Sequence, residues 1–185
     1  SKKLNAPLYF VKNNPMNFNS DLKGFYQTKN IQTVITALNH LPDINLDKSI
    51  IEKGLNRVVE NTGLKGRWQV ISNSPKVILD IGHNKEALIL ISNQLNEISY
   101  NKLYLIMGFT KERKINSLLS LFPKEANFYL SSPNVERAMP VSIVKASLKS
   151  SILKINYFKS ISRAYQVALS NSNEDDLVLV TGSTF

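Results

Sequence analysis

From about Gly63 onward the chain repeats a single pattern, a short apolar run followed by a helix-length stretch with apolar residues every three or four positions. The apolar runs are Lys76–Asp80, Leu103–Met107, Asn127–Leu130, INYF ending at Phe158, and LVLVTG at Leu177–Gly182. Helical spacing falls between them, at Lys85–Glu97, Ile115–Leu121, Pro140–Lys149 and Ile161–Leu169. Trp68–Ile71 opens the series and is joined to the next run by the turn SNSP. Runs this apolar are buried on both faces, and strands joined through helices must lie parallel. Right-handed crossovers restrict the arrangement further. The pattern therefore predicts an α/β fold: a Rossmann-like, mostly parallel sheet with helices on both faces.

The first sixty or so residues read differently. LYFV within Lys3–Lys12 predicts a short strand, and the Asn- and Pro-rich stretch NNPMNFNSD predicts a loop. After Gly24, the spacing of Phe25, Ile31, Val34, Ile35, Leu38 and Leu41 predicts a helix with one apolar face, stopped by Pro42. A second helix is expected from an N-cap at Asp47 to Glu60, with Ile50, Ile51, Leu55, Val58 and Val59 inward. NTGLKG, Asn61–Gly66, reads as a hinge. Residues 1–62 have too few strands to close a sheet and look like the tail of a separate domain, with residues 63–185 forming the α/β domain.

Composition narrows the function classes. With 43% hydrophobic residues in 185, the chain can build a core, and it contains no cysteine. Disulfides, thiolate metal sites and cysteine nucleophiles are thereby excluded, in keeping with a reducing compartment. No apolar run reaches the ~20 residues that span a bilayer, and SKKLNAPLYF is no secretory leader, so a cytoplasmic protein without a membrane partner is expected. The net charge of +9 raises nucleic acid as a partner. Its distribution argues against that: the lysines are scattered, and Glu112 interrupts the tightest group, Lys111, Arg113 and Lys114. An anionic small molecule fits the charge as well.

Ligands of an open α/β sheet sit at the carboxyl ends of its strands. Asp80 stands there in ILDIGHNKEAL, followed by Gly82 for a tight turn, His83 at the rim and Asn84 as a helix cap. The carboxylate can hold a ribose hydroxyl and the imidazole a phosphate, or both can belong to an ordinary strand-to-helix turn. Arg67 beside the hinge is either a phosphate clamp or a solvated arginine. Trp68 reads as core. Gln27 and Asn30 read as solvent-facing helix residues unless a ligand recruits them. Ser183 and Thr184 repeat the strand-end placement, His40 reads as a C-terminal helix cap, and the acidic run Glu174–Asp176 reads as a solvated loop. Neither a Walker phosphate loop, a GxGxxG fingerprint nor a metal-ligand cluster occurs.

Taken in order, LKGFYQTKNIQTVITALNHL, GRWQVISNSPKVILDIGHNKEAL and the terminal LVLVTGSTF resemble the C-terminal half of the Mur ligase superfamily, and most closely its folylpolyglutamate synthase and dihydrofolate synthase branch. The resemblance implies a C-terminal portion of an ATP-dependent ligase that joins L-glutamate to dihydropteroate or a reduced folate through an acyl phosphate. It implies that Asn30, Arg67 and Asp80 contact ATP, that His83 lies near the phosphates or the incoming amino acid with a catalytic or substrate-binding role, and that Ser183 binds substrate. It places the phosphate loop and the Mg²⁺ ligands upstream, so the 185 residues alone should not turn over ATP. A monomer that closes one domain on the other is also implied. Gly82 stands where the family usually has Ala, and Lys85 where Pro commonly follows Asn.

Other readings compete. A peptidoglycan-precursor ligase more often carries Glu after the GR element and Tyr before A-H-N, where this chain has Gln69 and Ile81. A non-catalytic nucleotide-binding domain would leave the helix-rich first residues unexplained. An RNA-binding module would need an aromatic recognition motif.

Overall fold

The computed structural model describes residues 7–11, 18–42, 44–110 and 114–182. The chain divides into two compact units, Ser1–Lys65 and Gly66–Phe185.

The first unit holds α1 (Gln27–Leu38), α2 (Lys48–Leu55) and α3 (Val58–Thr62). Ile31 and Ile35 are buried on α1, as their spacing predicts, and Gln27 is buried with them rather than facing solvent. Phe25 and Val34, expected inward, are 58% and 46% exposed. The single helix expected over Asp47–Glu60 is two helices. Backbone N–H groups of Asn56 and Arg57 close α2 onto the carbonyls of Glu52 and Gly54, and the Asn56 side-chain amide also donates to the Glu52 carbonyl. α3 then starts anew, its Val59 N–H donated to the Asp21 carboxylate at 2.9 Å. A cap from a residue so distant in sequence leaves no trace in local periodicity. Ile50 and Val59 face outward instead of inward. His40 bonds the Thr36 carbonyl through Nδ1 at 2.7 Å, the helix-end role its position predicts. Its ring also stacks on Tyr9, with centroids 3.6 Å apart. Pro7–Val11, the described part of the expected LYFV strand, is not in a strand.

The second unit is a six-stranded sheet with order β1-β2-β6-β3-β4-β5. The strands are β1 (Gln69–Asn73), β2 (Lys76–Leu79), β3 (Leu103–Gly108), β4 (Asn127–Ser131), β5 (Lys154–Phe158) and β6 (Leu177–Gly182). Only β1 runs antiparallel, as the outer strand of a hairpin with β2, and it carries a register shift between Val70 and Ser72. The remaining neighbours pair in parallel. Every residue of β3 and β6 is buried, which is why these central strands read as unbroken apolar runs.

Chain direction decides the faces. From β2 the path steps over β6 to β3 and then on to β4 and β5 through α4 (Lys85–Leu95), α5 (Ile115–Leu119) and α6 (Val141–Ser147). It returns to β6 through α7 (Ile161–Asn171). With one hand of crossover, reversing direction puts the returning helix on the opposite face. The core splits accordingly. Leu88, Ile91 and Leu95 of α4, Ile115, Leu118 and Leu119 of α5 and Val144 of α6 share one apolar cluster. Ala164 and Ala168 of α7 join Val77, Tyr104, Ile106, Tyr129, Val178 and Val180 in the other. Trp68 belongs to the first cluster, in agreement with a core role.

The acidic run is only partly a solvated loop. Glu174 and Asp175 are exposed, whereas Asp176 is 2% exposed. Its carboxylate accepts the N–H groups of Lys102 and Asn173, at 3.0 and 2.8 Å. These bonds tie loops together at the amino-terminal ends of the strands.

Candidate functional site

The reversal of chain direction brings the carboxyl ends of β2, β6 and β3 side by side, the place where an open α/β sheet leaves a crevice. Three segments meet there: Gly66–Trp68 before β1, Asp80–Asn84 after β2, and Thr181–Gly182 at the end of β6. Each is locked by backbone hydrogen bonds.

Asp80 is the hub. It is 2% exposed, and Oδ2 accepts the Trp68 N–H while Oδ1 accepts the Gly82 N–H, both at 2.9 Å. Its own N–H donates to the Val180 carbonyl at 3.0 Å, extending the β2–β6 ladder past the strand end. One carboxylate thus fixes both the approach to β1 and the turn after β2. The first of these is an unusual path, since Gly66 and Trp68 both have left-handed backbones, with φ of 68° and 52°. For Trp68 that conformation costs roughly 1–2 kcal/mol, and the bond to Asp80 offsets it. Gln69 closes the same bend by accepting the Gly66 N–H on Oε1, and the Gly66 carbonyl accepts from Ile81, each at 3.0 Å.

Arg67 sits between these two pinned residues, half-buried. Its guanidinium bonds to no described residue, and its backbone lies between the bonds that hold Gly66 and Trp68. His83 is exposed on the turn. Nδ1 lies 3.0 Å from the Ile81 carbonyl. A carbonyl only accepts, so Nδ1 carries the proton, and neutral imidazole keeps its lone pair on Nε2. Asn84 caps α4 as expected, its Oδ1 accepting the Ala87 N–H at 2.8 Å. Gly82 is buried, and a Cβ there would lie 2.5 Å from Ile91 Cδ1, so a family-typical alanine would require Ile91 to shift.

Asn30 belongs to the first unit. It is exposed, with its Nδ2 donated to Gln27 Oε1 at 2.9 Å. Ser183 and Thr184 lie outside the described residues, as do Lys111 and Arg113 of the basic group. The site also contains a residue that sequence reasoning passed over, Thr181. Its only signal was a hydroxyl in an otherwise apolar run, LVLVT. Among the described residues no group of three or more His, Asp or Glu could hold a metal ion, and no helix is long and apolar enough to cross a membrane.

A mostly parallel sheet with one antiparallel outer strand and an aspartate-anchored turn at its reversal point defines a Rossmann-like domain. Residues 66–184 match the family described as Mur ligase, glutamate ligase domain, and the chain belongs to that family. It is 27% identical over 135 residues to the dihydrofolate synthase/folylpolyglutamate synthase of Buchnera aphidicola subsp. Schizaphis graminum, covering 72% of this chain and 32% of the relative. A structure of Mycobacterium tuberculosis folylpolyglutamate synthase complexed with ADP and AMPPCP shares the fold, with a TM-score of 0.77 at 16% identity over 91% of this chain and 40% of that one. A bifunctional folylpolyglutamate synthase/dihydrofolate synthase with Mn, AMPPNP and L-glutamate bound gives a TM-score of 0.71 at 21% identity, over 90% and 38% of the two chains. The chain spans about a third of the length of the dihydrofolate synthase/folylpolyglutamate synthases it matches.

Proposed function

We propose that this chain is the C-terminal part of an ATP-dependent ligase that joins L-glutamate to the carboxylate of dihydropteroate, a reduced folate, or both. The observation that carries the reading is Arg67, which bonds to no described residue, on a backbone-pinned bend beside the His83 turn, in a chain whose residues 66–184 match a glutamate ligase domain. In this account residues 1–62 are the remnant of a central ATP-binding domain and residues 63–185 the ligase domain. The protein works in the cytoplasm as a monomer.

Amide formation from a carboxylate needs an activated acyl group, and transfer of the terminal phosphoryl of ATP supplies one as an acyl phosphate. The amine of glutamate then attacks the acyl carbon and phosphate departs. Arg67 is assigned the nucleotide phosphates, where a guanidinium offsets charge on the transferring group. Asn30 is assigned a nucleotide contact from its exposed position on α1. Asp80 is assigned to the nucleotide side of the site, where its carboxylate holds the two segments around Arg67 and His83 in place. His83, with Nε2 as acceptor, is assigned to the ammonium of the incoming glutamate or, when protonated, to a phosphate oxygen. Ser183 is assigned to substrate. Magnesium would counter phosphate charge in such a reaction, and its ligands are assigned, with the phosphate loop, to the upstream part of the ligase.

ADP release tests the reading. The 185-residue chain alone is expected to give none above the blank. In the complete ligase, Arg67→Ala is expected to raise the KM for ATP about 10- to 100-fold, the equivalent of one lost charge-assisted contact, with folding unchanged. Turnover by the isolated chain, or an unaltered KM in the variant, would overturn these assignments.

A further inference from the structure

We propose that Thr181 is a positioning residue, which fixes the turn that presents His83 by holding the Gly82 carbonyl. The inference rests on the ligase reading for its functional consequence and on geometry for the rest. Strand β6 lies at the centre of the sheet, between β2 and β3. Thr181 is 0% exposed there. A hydroxyl at such a position costs stability unless it is bonded, and the four residues before it, LVLV, are purely apolar. Its partner is the Gly82 carbonyl, which accepts Thr181 Oγ1–H at 3.0 Å.

The same carbonyl accepts the Gly182 N–H at 2.8 Å. That second bond continues the parallel ladder; the Thr181 bond does not. A carbonyl has two lone pairs, and this one is filled from two consecutive residues of β6. On the other side of the peptide, the Gly82 N–H is held by Asp80 Oδ1 at 2.9 Å. Gly82 is therefore gripped at both its N–H and its carbonyl, one residue before His83. His83 in turn leans on the Ile81 carbonyl. Removing the hydroxyl frees one of the restraints on the His83 turn while leaving the ladder bond and the strand's β-branched shape in place.

The test compares Thr181→Val, which keeps the shape and deletes the hydroxyl, with Thr181→Ser, which keeps the hydroxyl. In the 185-residue chain, amide hydrogen exchange at Gly82 and Ala87, whose N–H groups are bonded on either side of His83, is expected to quicken about tenfold in the valine variant, the loss of one buried hydrogen bond. Leu105 in β3 should be unchanged, and the serine variant should restore protection. In the complete ligase, Thr181→Val is expected to lower kcat about tenfold with the KM for ATP within twofold, because a loosened turn misplaces His83 without touching the Arg67 contact. Unchanged exchange in the valine variant, or quickened exchange without a fall in kcat, or a serine variant that behaves as valine does, would overturn the proposal. A wild-type ligase with no glutamate-dependent turnover would instead overturn the ligase reading, and the exchange measurement would still decide whether Thr181 fixes the turn.

Discussion

Asp80→Ala is expected to lower the unfolding free energy of the second unit by about 2–6 kcal/mol, since it strands two buried N–H groups at roughly 1–3 kcal/mol each. Those groups belong to Trp68 and Gly82. Both bonds are buried, the first where the chain bends into β1 and the second in the turn after β2. The left-handed backbone at Trp68 also loses the bond that offsets it. Trp68 is the only tryptophan and is 5% exposed. Its fluorescence during urea unfolding therefore reports on this unit and on this bend together. Asp80→Asn should fall between wild type and alanine, because an amide supplies a single acceptor oxygen and turns an NH₂ towards the other N–H. A loss below about 0.5 kcal/mol for alanine would show that the carboxylate is not what holds the two segments. Any loss of activity in an Asp80 variant must accordingly be read beside its stability.

A second large effect is expected at the end of β6. Gly182 has φ of 84°, and a Cβ there would lie 2.8 Å from the Gly108 carbonyl oxygen, an atom of the neighbouring backbone. Gly182 and Gly108 face each other in register where β6 and β3 end. A left-handed alanine costs roughly 1–2 kcal/mol on conformational grounds alone. The clash adds to this, because the atom that would have to move belongs to the central, close-packed strand pair. Gly182→Ala should therefore cost about 3 kcal/mol or more in the same unfolding measurement. It should also perturb the Gly182 N–H to Gly82 carbonyl bond, and with it the His83 turn. A cost under about 1 kcal/mol would contradict the close approach.

These two positions also show where sequence reading succeeds and where it stops. Strands β3 and β6 were legible because burial on both faces writes an unbroken apolar run, and the helices between them because one buried face writes a 3.6-residue period. The Asp80–Asn84 turn stood out for the same reason, as an apolar strand ending in polar residues. What Asp80 does there was not legible: its partners are backbone N–H groups, which every residue type carries, and one of them is twelve positions away. The break between α2 and α3 escaped similarly, since the Asp21 cap comes from 38 positions away. Gln27 was read as solvent-facing because composition assigns glutamine to surfaces, yet it is buried and bonded to Asn30. Thr181 was visible as an exception in an apolar run. Its meaning required the partner, Gly82, 99 positions away.

The central claim is the reaction itself, and ADP release by the complete ligase tests it most directly. The protein would be supplied with ATP, Mg²⁺ and L-glutamate and offered dihydropteroate, a reduced folate or a UDP-muramyl precursor in parallel. The account predicts glutamate-dependent release with at least one pterin substrate and none with the muramyl precursor. Release confined to the muramyl precursor, or a folded complete ligase inert with all three, would contradict it.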